Sequence, residues 1–209
     1  MRQKTVFLKD YQPPDYLCHA VALRFDLADL VATVSARLNL KRNGAHRRPL
    51  ILDGEGLTLT SIKLDGHPLS VSAYALTEGS LLIDNVPPEC EVEIETRLRP
   101  QDNKALTGLY RSGDTLCTQC EAEGFRRITF FPDRPDVLAS FTTTIVAPAA
   151  TYPVLLSNGN LQEAGEYADG RHWATWHDPY RKPCYLFALV AGDLGVVRDR
   201  YVSKAGKTV

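Results

Sequence analysis

No run of about 20 consecutive apolar residues occurs in the sequence, so no segment is long enough to cross a bilayer as a helix. An excess of one charge sign is missing too. Twenty-four basic and 25 acidic residues leave a net charge of -1. No basic field is available to draw in nucleic acid or an anionic membrane. Residues 1–16 are basic but lack the apolar core of a secretory signal, and no N-x-S/T sequon is present. Cysteine is sparse and odd in number: five, with a paired spacing only at Cys117 and Cys120. That inventory fits a reduced, cytoplasmic setting. HExxH, G-x-S-x-G and a glycine-rich phosphate loop are all absent, so no complete catalytic constellation is visible. Internal repeats and low-complexity tracts are absent as well.

Helical signals are few. The best candidates are residues 120–126 and the turn after Pro135. What the sequence has instead is alternation. Val21, Leu23, Phe25 and Leu27 alternate with Ala22, Arg24 and Asp26. Leu30, Ala32, Val34, Ala36, Leu38 and Leu40 alternate with Thr33, Ser35, Arg37 and Asn39. Val92, Ile94, Thr96 and Leu98 alternate with Glu91, Glu93, Glu95 and Arg97. A period of two over such lengths predicts strands with one face buried, and makes the three glutamates a solvated strand face. A tight hairpin is expected at Ala28-Asp29. Shorter apolar runs at 50–52, 57–64, 81–83, 141–147, 152–157, 172–176 and 185–191 predict further strands. Asp65-Gly66, Asn158-Gly159 and Asp169-Gly170 read as hairpin turns. Hydrophobic residues at 44% and charged residues at 23% of 209 describe a globular chain. The fold class expected is all-β: an antiparallel sandwich or open barrel with one or two short helices. No linker divides the first 190 residues. Gly192-Asp193 closes an apolar strand, and residues 194–209 begin another extended segment with a turn at 204–207. The expected division is therefore 1–193 as one β domain and 194–209 as the start of a further unit. That last segment is expected to fray or to pair with a neighbour, because an unpaired strand edge seeks a partner.

The candidate chemistry is thin. Cys117-Thr-Gln-Cys120 has the spacing of a redox pair or half a zinc site. It lacks the βαβ setting of the first and the second ligand pair of the second, so packing thiols are expected. His172 and His177 have an odd separation, which in a strand sends them to opposite faces and away from one shared ion. In the polar stretch from Thr115 to Arg126, an extended chain would project Gln119 and Glu121 from one side. A carboxylate beside an amide carbonyl can accept hydrogen bonds from an ammonium group. The same residues also fit a polar turn with a glutamate at a helix start.

Five segments carry a resemblance. They are YQPPDY (11–16), LTGLYRSGDTLCTQCEAEGFR (106–126), FPDRPDVLA (131–139), LLSNGN (155–160) and KPCYLFALVAGD (182–193). With them the chain resembles, from about residue 10 to 200, the N-terminal domain of the bacterial aminopeptidase N family of gluzincin zinc metallopeptidases. The resemblance implies a large, saddle-shaped, mostly antiparallel β domain. It implies that a thermolysin-like catalytic domain follows in the full enzyme. That domain would carry zinc, HExxH and the Gly-Ala-Met-Glu-Asn motif, none of which lies in these residues. The fragment alone is then expected to be inactive, with no catalytic residue and no metal ligand of its own. The resemblance gives Glu121 the role of binding the substrate's free α-amino group, and Gln119 that of lining the first side-chain pocket and orienting the amine. Glu123 and Arg126 would support the loop. Asp133, Arg134 and Asp136 would form a structural turn fixed by Pro135. The implied partners are peptides with a free N-terminus and the catalytic domain of the same chain, in a monomeric, cytoplasmic protein. Ser140 stands where relatives often have Arg, and Arg127 where His is common.

Two other readings make different demands. A stand-alone β-sandwich module for peptide or carbohydrate needs a groove lined by Trp173, Trp176 or tyrosines, yet a separation of three puts the two tryptophans on opposite strand faces. A thiol oxidoreductase needs an exposed, acidic thiol at Cys117 or Cys120.

Overall fold

The computed structural model describes residues 7–28 and 30–209. Asp29 of the expected Ala28-Asp29 hairpin thus lies outside the described residues. Along the chain run β1 (Tyr16–Leu27), β2 (Ala32–Arg42), β3 (Leu50–Asp53), β4 (Thr58–Leu64), β5 (His67–Pro68), β6 (Tyr74–Leu76) and β7 (Ser80–Ile83). There follow β8 (Glu89–Leu98), β9 (Gly108–Ser112), β10 (Thr115–Gln119) and β11 (Leu138–Pro148). The last are β12 (Val154–Ser157), β13 (Asn160–Glu166), β14 (Arg171–Pro183) and β15 (Leu189–Gly192). The fold is all-β, as the alternation predicts.

An eight-stranded sheet runs β13-β14-β11-β1-β2-β8-β4-β5. Its pairs are antiparallel except one: β1 lies parallel to β11, with Val21 opposite Phe141 and Phe25 opposite Ile145. Smaller sheets run β12-β15-β10-β9 and β3-β7-β6. Alternation explains the packing directly. Val21, Leu23, Phe25 and Leu27 on β1 and Ala32, Val34, Ala36, Leu38 and Leu40 on β2 all point inward. Phe125, from between the sheets, meets Phe131 edge-on at 4.9 Å and Phe187 at 5.3 Å. Phe187 also stacks on Phe25 at 5.9 Å. Offset and edge-to-face aromatic contacts of this kind add to simple area burial. They tie the small sheets to the large one where the polar stretch ends.

Several expectations are corrected. Leu30 is 64% exposed and β2 starts at Ala32, so the alternation began one step too early. Residues 120–126 form no helix: turns cover 121–124, and a single 3-10 turn spans Phe125–Arg127. The chain after Pro135 makes a turn and enters β11 without a helix. Asp65-Gly66 and Asp169-Gly170 do turn hairpins, β4 to β5 and β13 to β14. Asn158-Gly159 does not, because β12 pairs with β15 and β13 with β14. The dipeptide hands the chain from one sheet to another. Asn158 fixes the crossing by accepting from Ala188 N–H at 2.7 Å and donating to Leu186 O at 3.1 Å. Gly159 is needed there: φ is 88° and a Cβ would meet His177 O at 2.2 Å. The glutamates of β8 are only half solvated. Glu91 pairs with Arg37 at 3.4 Å and Glu93 with Lys63 at 3.6 Å, on neighbouring strands. At the end of the chain, residues 204–207 turn as expected. The return arm belongs to the chain itself, with Tyr201 N–H bonded to Val209 O at 3.0 Å and Val202 bridging Thr208.

Candidate functional site

β10 ends at Gln119, opposite Gly108 of β9. The extended path that would align Gln119 with Glu121 therefore stops short, and the two side chains are exposed on either side of buried Cys120. Glu121, Ala122 and Glu123 form an exposed bulge between two buried posts, Cys120 and Gly124. The peptide bond between Glu121 and Ala122 is cis. Gly124 N–H donates to Cys120 O at 2.9 Å and closes the base of the bulge. The closure leaves no room for a side chain, since a Cβ on Gly124 would stand 2.4 Å from Gln119 O.

Below the bulge lies a charged cluster. Asp133 is the one buried acidic residue among the described residues, at 4% exposure. Its Oδ2 accepts from Arg126 N–H at 3.0 Å and Arg126 Nε at 3.1 Å. Arg126 Nη2 also donates to Asp133 O at 3.1 Å. Cys184 Sγ donates to Asp133 Oδ1 at 3.0 Å, and Asp133 N–H donates to Asp53 Oδ2 at 3.1 Å. A buried carboxylate is tolerated because charged and polar partners surround it. Burial raises the pKa of Asp53 despite the nearby Arg126 charge. Burial alone would lower that of Arg126, but the Asp133 bond and the surrounding carboxylates raise it. Glu123 adds an ion pair to Arg126 at 3.4 Å. Arg126 thus supports the loop as expected, and Glu123 joins it from the exposed side.

The turn 131–136 locks onto the N-terminal segment. Arg134 Nη2 donates to Gln12 O at 2.7 Å and pairs with Asp136 Oδ2 at 2.7 Å. Tyr11 OH donates to the same Asp136 oxygen at 2.9 Å. Two of the segments that carry the resemblance therefore meet, and enclose a groove of about 630 Å³ walled on one side by Glu123 and Arg126. Arg127 pairs with Glu55. Ser140 lies half-buried within β11 and its Oγ donates to His19 O at 3.4 Å, at the seam with β1. On the sheet that holds β10, Leu156 within β12 is exposed, as are Leu106 before β9 and Leu186 before β15.

Other candidates come apart. Cys120 is buried and its thiol is pushed up to about 12 by burial and by Asp133, the opposite of a redox thiolate. Cys117 is half-buried, and all five cysteines are free thiols. His172 Nε2 donates to Tyr152 O at 2.7 Å, while His177 Nδ1 bonds Thr142 Oγ1 at 3.0 Å. Trp176 donates to Leu155 O at 3.1 Å, and Trp173 lies over Gly165 of the next strand. Each tryptophan has its own neighbours, and they form no common platform. Among the described residues no group of three or more His, Cys, Asp or Glu could hold a metal ion. The zinc that the resemblance implies is assigned to the domain that follows, not to these residues. No helix among the described residues is long and apolar enough to cross a membrane. Asp133, which the sequence marks only as part of a turn between Pro132 and Pro135, is the buried centre of this cluster.

Geometry of this kind defines an all-β domain that offers a braced polar loop. The chain belongs to the Peptidase M1 N-terminal domain family, whose pattern matches residues 12–186. It is 50% identical over 200 residues to aminopeptidase N of Escherichia coli, covering 96% of this chain and 23% of that protein. It is 47% identical over 206 residues to aminopeptidase N of Caulobacter vibrioides, covering 99% and 24%. A crystal structure of Legionella pneumophila aminopeptidase A in complex with aspartic acid superposes with a TM-score of 0.91 at 40% identity, covering 97% of this chain and 24% of that one. An M1 zinc metallopeptidase from Deinococcus radiodurans shares the fold, with a TM-score of 0.76 at 17% identity over 94% of this chain and 47% of that one. The chain spans about a quarter of the length of the aminopeptidase N relatives.

Proposed function

We propose that residues 1–193 form the N-terminal β domain of a zinc-dependent aminopeptidase that removes single N-terminal residues from peptides, and that residues 194–209 open its catalytic domain. In this reading the domain packs on the catalytic domain of the same chain, and zinc is held there. Glu121 receives the substrate's α-ammonium, and Gln119 lines the first side-chain pocket and orients the amine. The observation that carries it is the exposed carboxylate of Glu121, raised on a bulge whose base is buried and hydrogen-bonded, in a chain of this family. An ammonium withdrawn from water needs a charged acceptor. A carboxylate on a fixed turn supplies one at a set distance from the cleaved bond. An N-acetylated peptide lacks that charge and leaves the carboxylate unpaired, so it is rejected. Five free thiols, four of them buried, support a cytoplasmic setting, and we take the enzyme to be a monomer.

The test is kinetic and uses the full-length enzyme. Glu121→Gln should lower kcat/KM for a free-amine peptide by about 30-fold or more, the loss expected when one member of a desolvated pair loses its charge. The low rate on the N-acetylated peptide should not change. Equal rates for wild type and variant on the free-amine peptide would defeat the amine-anchor role.

A further inference from the structure

We infer that Asp133 is a positioning residue for the amine-binding bulge, an inference that rests on the proposed role of Glu121. Asp133 touches no substrate in this scheme. Its carboxylate joins the two chain segments that flank β10. Through Oδ2 it holds both the backbone N–H and the Nε of Arg126, which lies in the 3-10 turn directly after the turn carrying Glu121. Through Oδ1 it holds Cys184, which opens the 3-10 turn leading to β15. β15 is in turn the partner of β10, with Leu116 opposite Ala191 and Cys117 opposite Val190. The bulge is therefore fixed twice at its root: once by the strand it leaves and once by the turn it enters.

Both fixings converge on one buried side chain. The Asp133 side chain is 2% exposed and that of Arg126 20%, so water cannot readily replace either partner. The exposed stretch between the posts is three residues long. A shift of either post is passed to Glu121 with little chain in between to absorb it. Misplacing a binding group by about 1 Å can cost on the order of 100-fold in rate. A carboxylate suits this place because it accepts on both oxygens. Asparagine keeps the shape, but its single carbonyl oxygen can face Arg126 or Cys184 and not both.

The experiment is a cycle in the full-length enzyme: wild type, Glu121→Gln, Asp133→Asn and the double variant, assayed with alanine p-nitroanilide. Asp133→Asn alone should lower kcat/KM by about 10-fold or more, chiefly through KM, since binding of the amine is what is lost. In the Glu121→Gln background the same substitution should change kcat/KM by less than about 2-fold, because coupled residues are not additive. A merely structural role would lower both backgrounds by the same factor, and that result, or no effect of Asp133→Asn alone, overturns the inference while leaving the role of Glu121 standing. A silent Glu121→Gln instead overturns the amine-anchor reading, and the inference falls with it. Should Asp133→Asn fail to fold, Arg126→Lys in both backgrounds decides the question by the same two outcomes, since it keeps the backbone bond and the charge but loses the fork.

Discussion

The ammonium of Lys182 stands 4.3 Å from the centroid of the Phe141 ring and 2.8 Å from Asp178 Oδ2. The lysine and aspartate side chains are 11% and 16% exposed, so the pair is nearly out of water. Burial lowers the lysine's pKa from its usual 10.5, against the pull of Asp178. For the lysine, burial outweighs the partner, whereas for Asp178 the Lys182 bond and charge outweigh burial and hold its carboxyl below the usual 3.8. Removing one member is still worse, because it strands the other. Lys182→Ala should destabilise the fold by about 3 kcal/mol in urea titration. The pair Lys182→Met with Asp178→Leu should be near neutral. A single substitution as mild as the double one would show the pair to be solvated.

Thiol labelling should single out Cys117. Burial pushes Cys18 and Cys120 up to about 12 and Cys90 up to about 11. Cys184 is raised further by burial and by Asp133. With the thiolate as the reacting form, these four stay slow at pH 8. Mass spectrometry of the native protein treated with iodoacetamide should show one fast adduct, lost in Cys117→Ser. Two or more fast adducts would contradict the burial assigned to the other thiols.

Two carboxylates should respond to pH with opposite sign. The Arg134 guanidinium holds Asp136 below its usual 3.8, so the ionised form is favoured by folding. Its contribution is present above about pH 4 and is lost as pH falls through the lowered pKa. Asp53 is raised above 3.8 by burial, so it carries a cost at neutral pH that disappears on acidification. Asp136→Asn should therefore be less stable than wild type at pH 7 and level with it near pH 2. Asp53→Asn, whose carbonyl can still accept the Asp133 N–H, should lose nothing at pH 7. Urea midpoints across pH 2 to 7 for the two variants give the comparison. A stability loss at pH 7 for Asp53→Asn as large as for Asp136→Asn would refute the difference in sign.

The long strands were legible because their alternation is a direct record of one buried face. β1, β2 and β8 have it, and their inward residues pack as read. β13 leaves no such record, because NLQEAGE is an exposed edge with no apolar face. The Asn158-Gly159 turn was misassigned for another reason: a dipeptide fixes the local bend, while the partner of the next strand is chosen by distant residues. The same limit governs the site. Gln119 and Glu121 stood out through resemblance, and their common face assumed a strand that ends two residues too soon. The bond between Arg126 and Asp133 spans seven positions, which a helix would set two turns apart and a strand on opposite faces, so neither period brings the pair into contact. Only the folded chain brings that pair together.

The seam between β1 and β11 has a consequence for how the protein is made. These strands are neighbours at the middle of the large sheet, yet over a hundred residues of chain separate them. A ribosome adding about 5–20 residues per second takes on the order of ten seconds to cover that gap. During that interval β1, β2, β8 and β4 can already pair with one another, while the outer edge of β1 offers its backbone groups to any passing strand. The nascent chain therefore emerges with an open edge at what becomes the centre of its sheet. A chaperone that shields extended segments would be most useful before Pro148 leaves the exit tunnel.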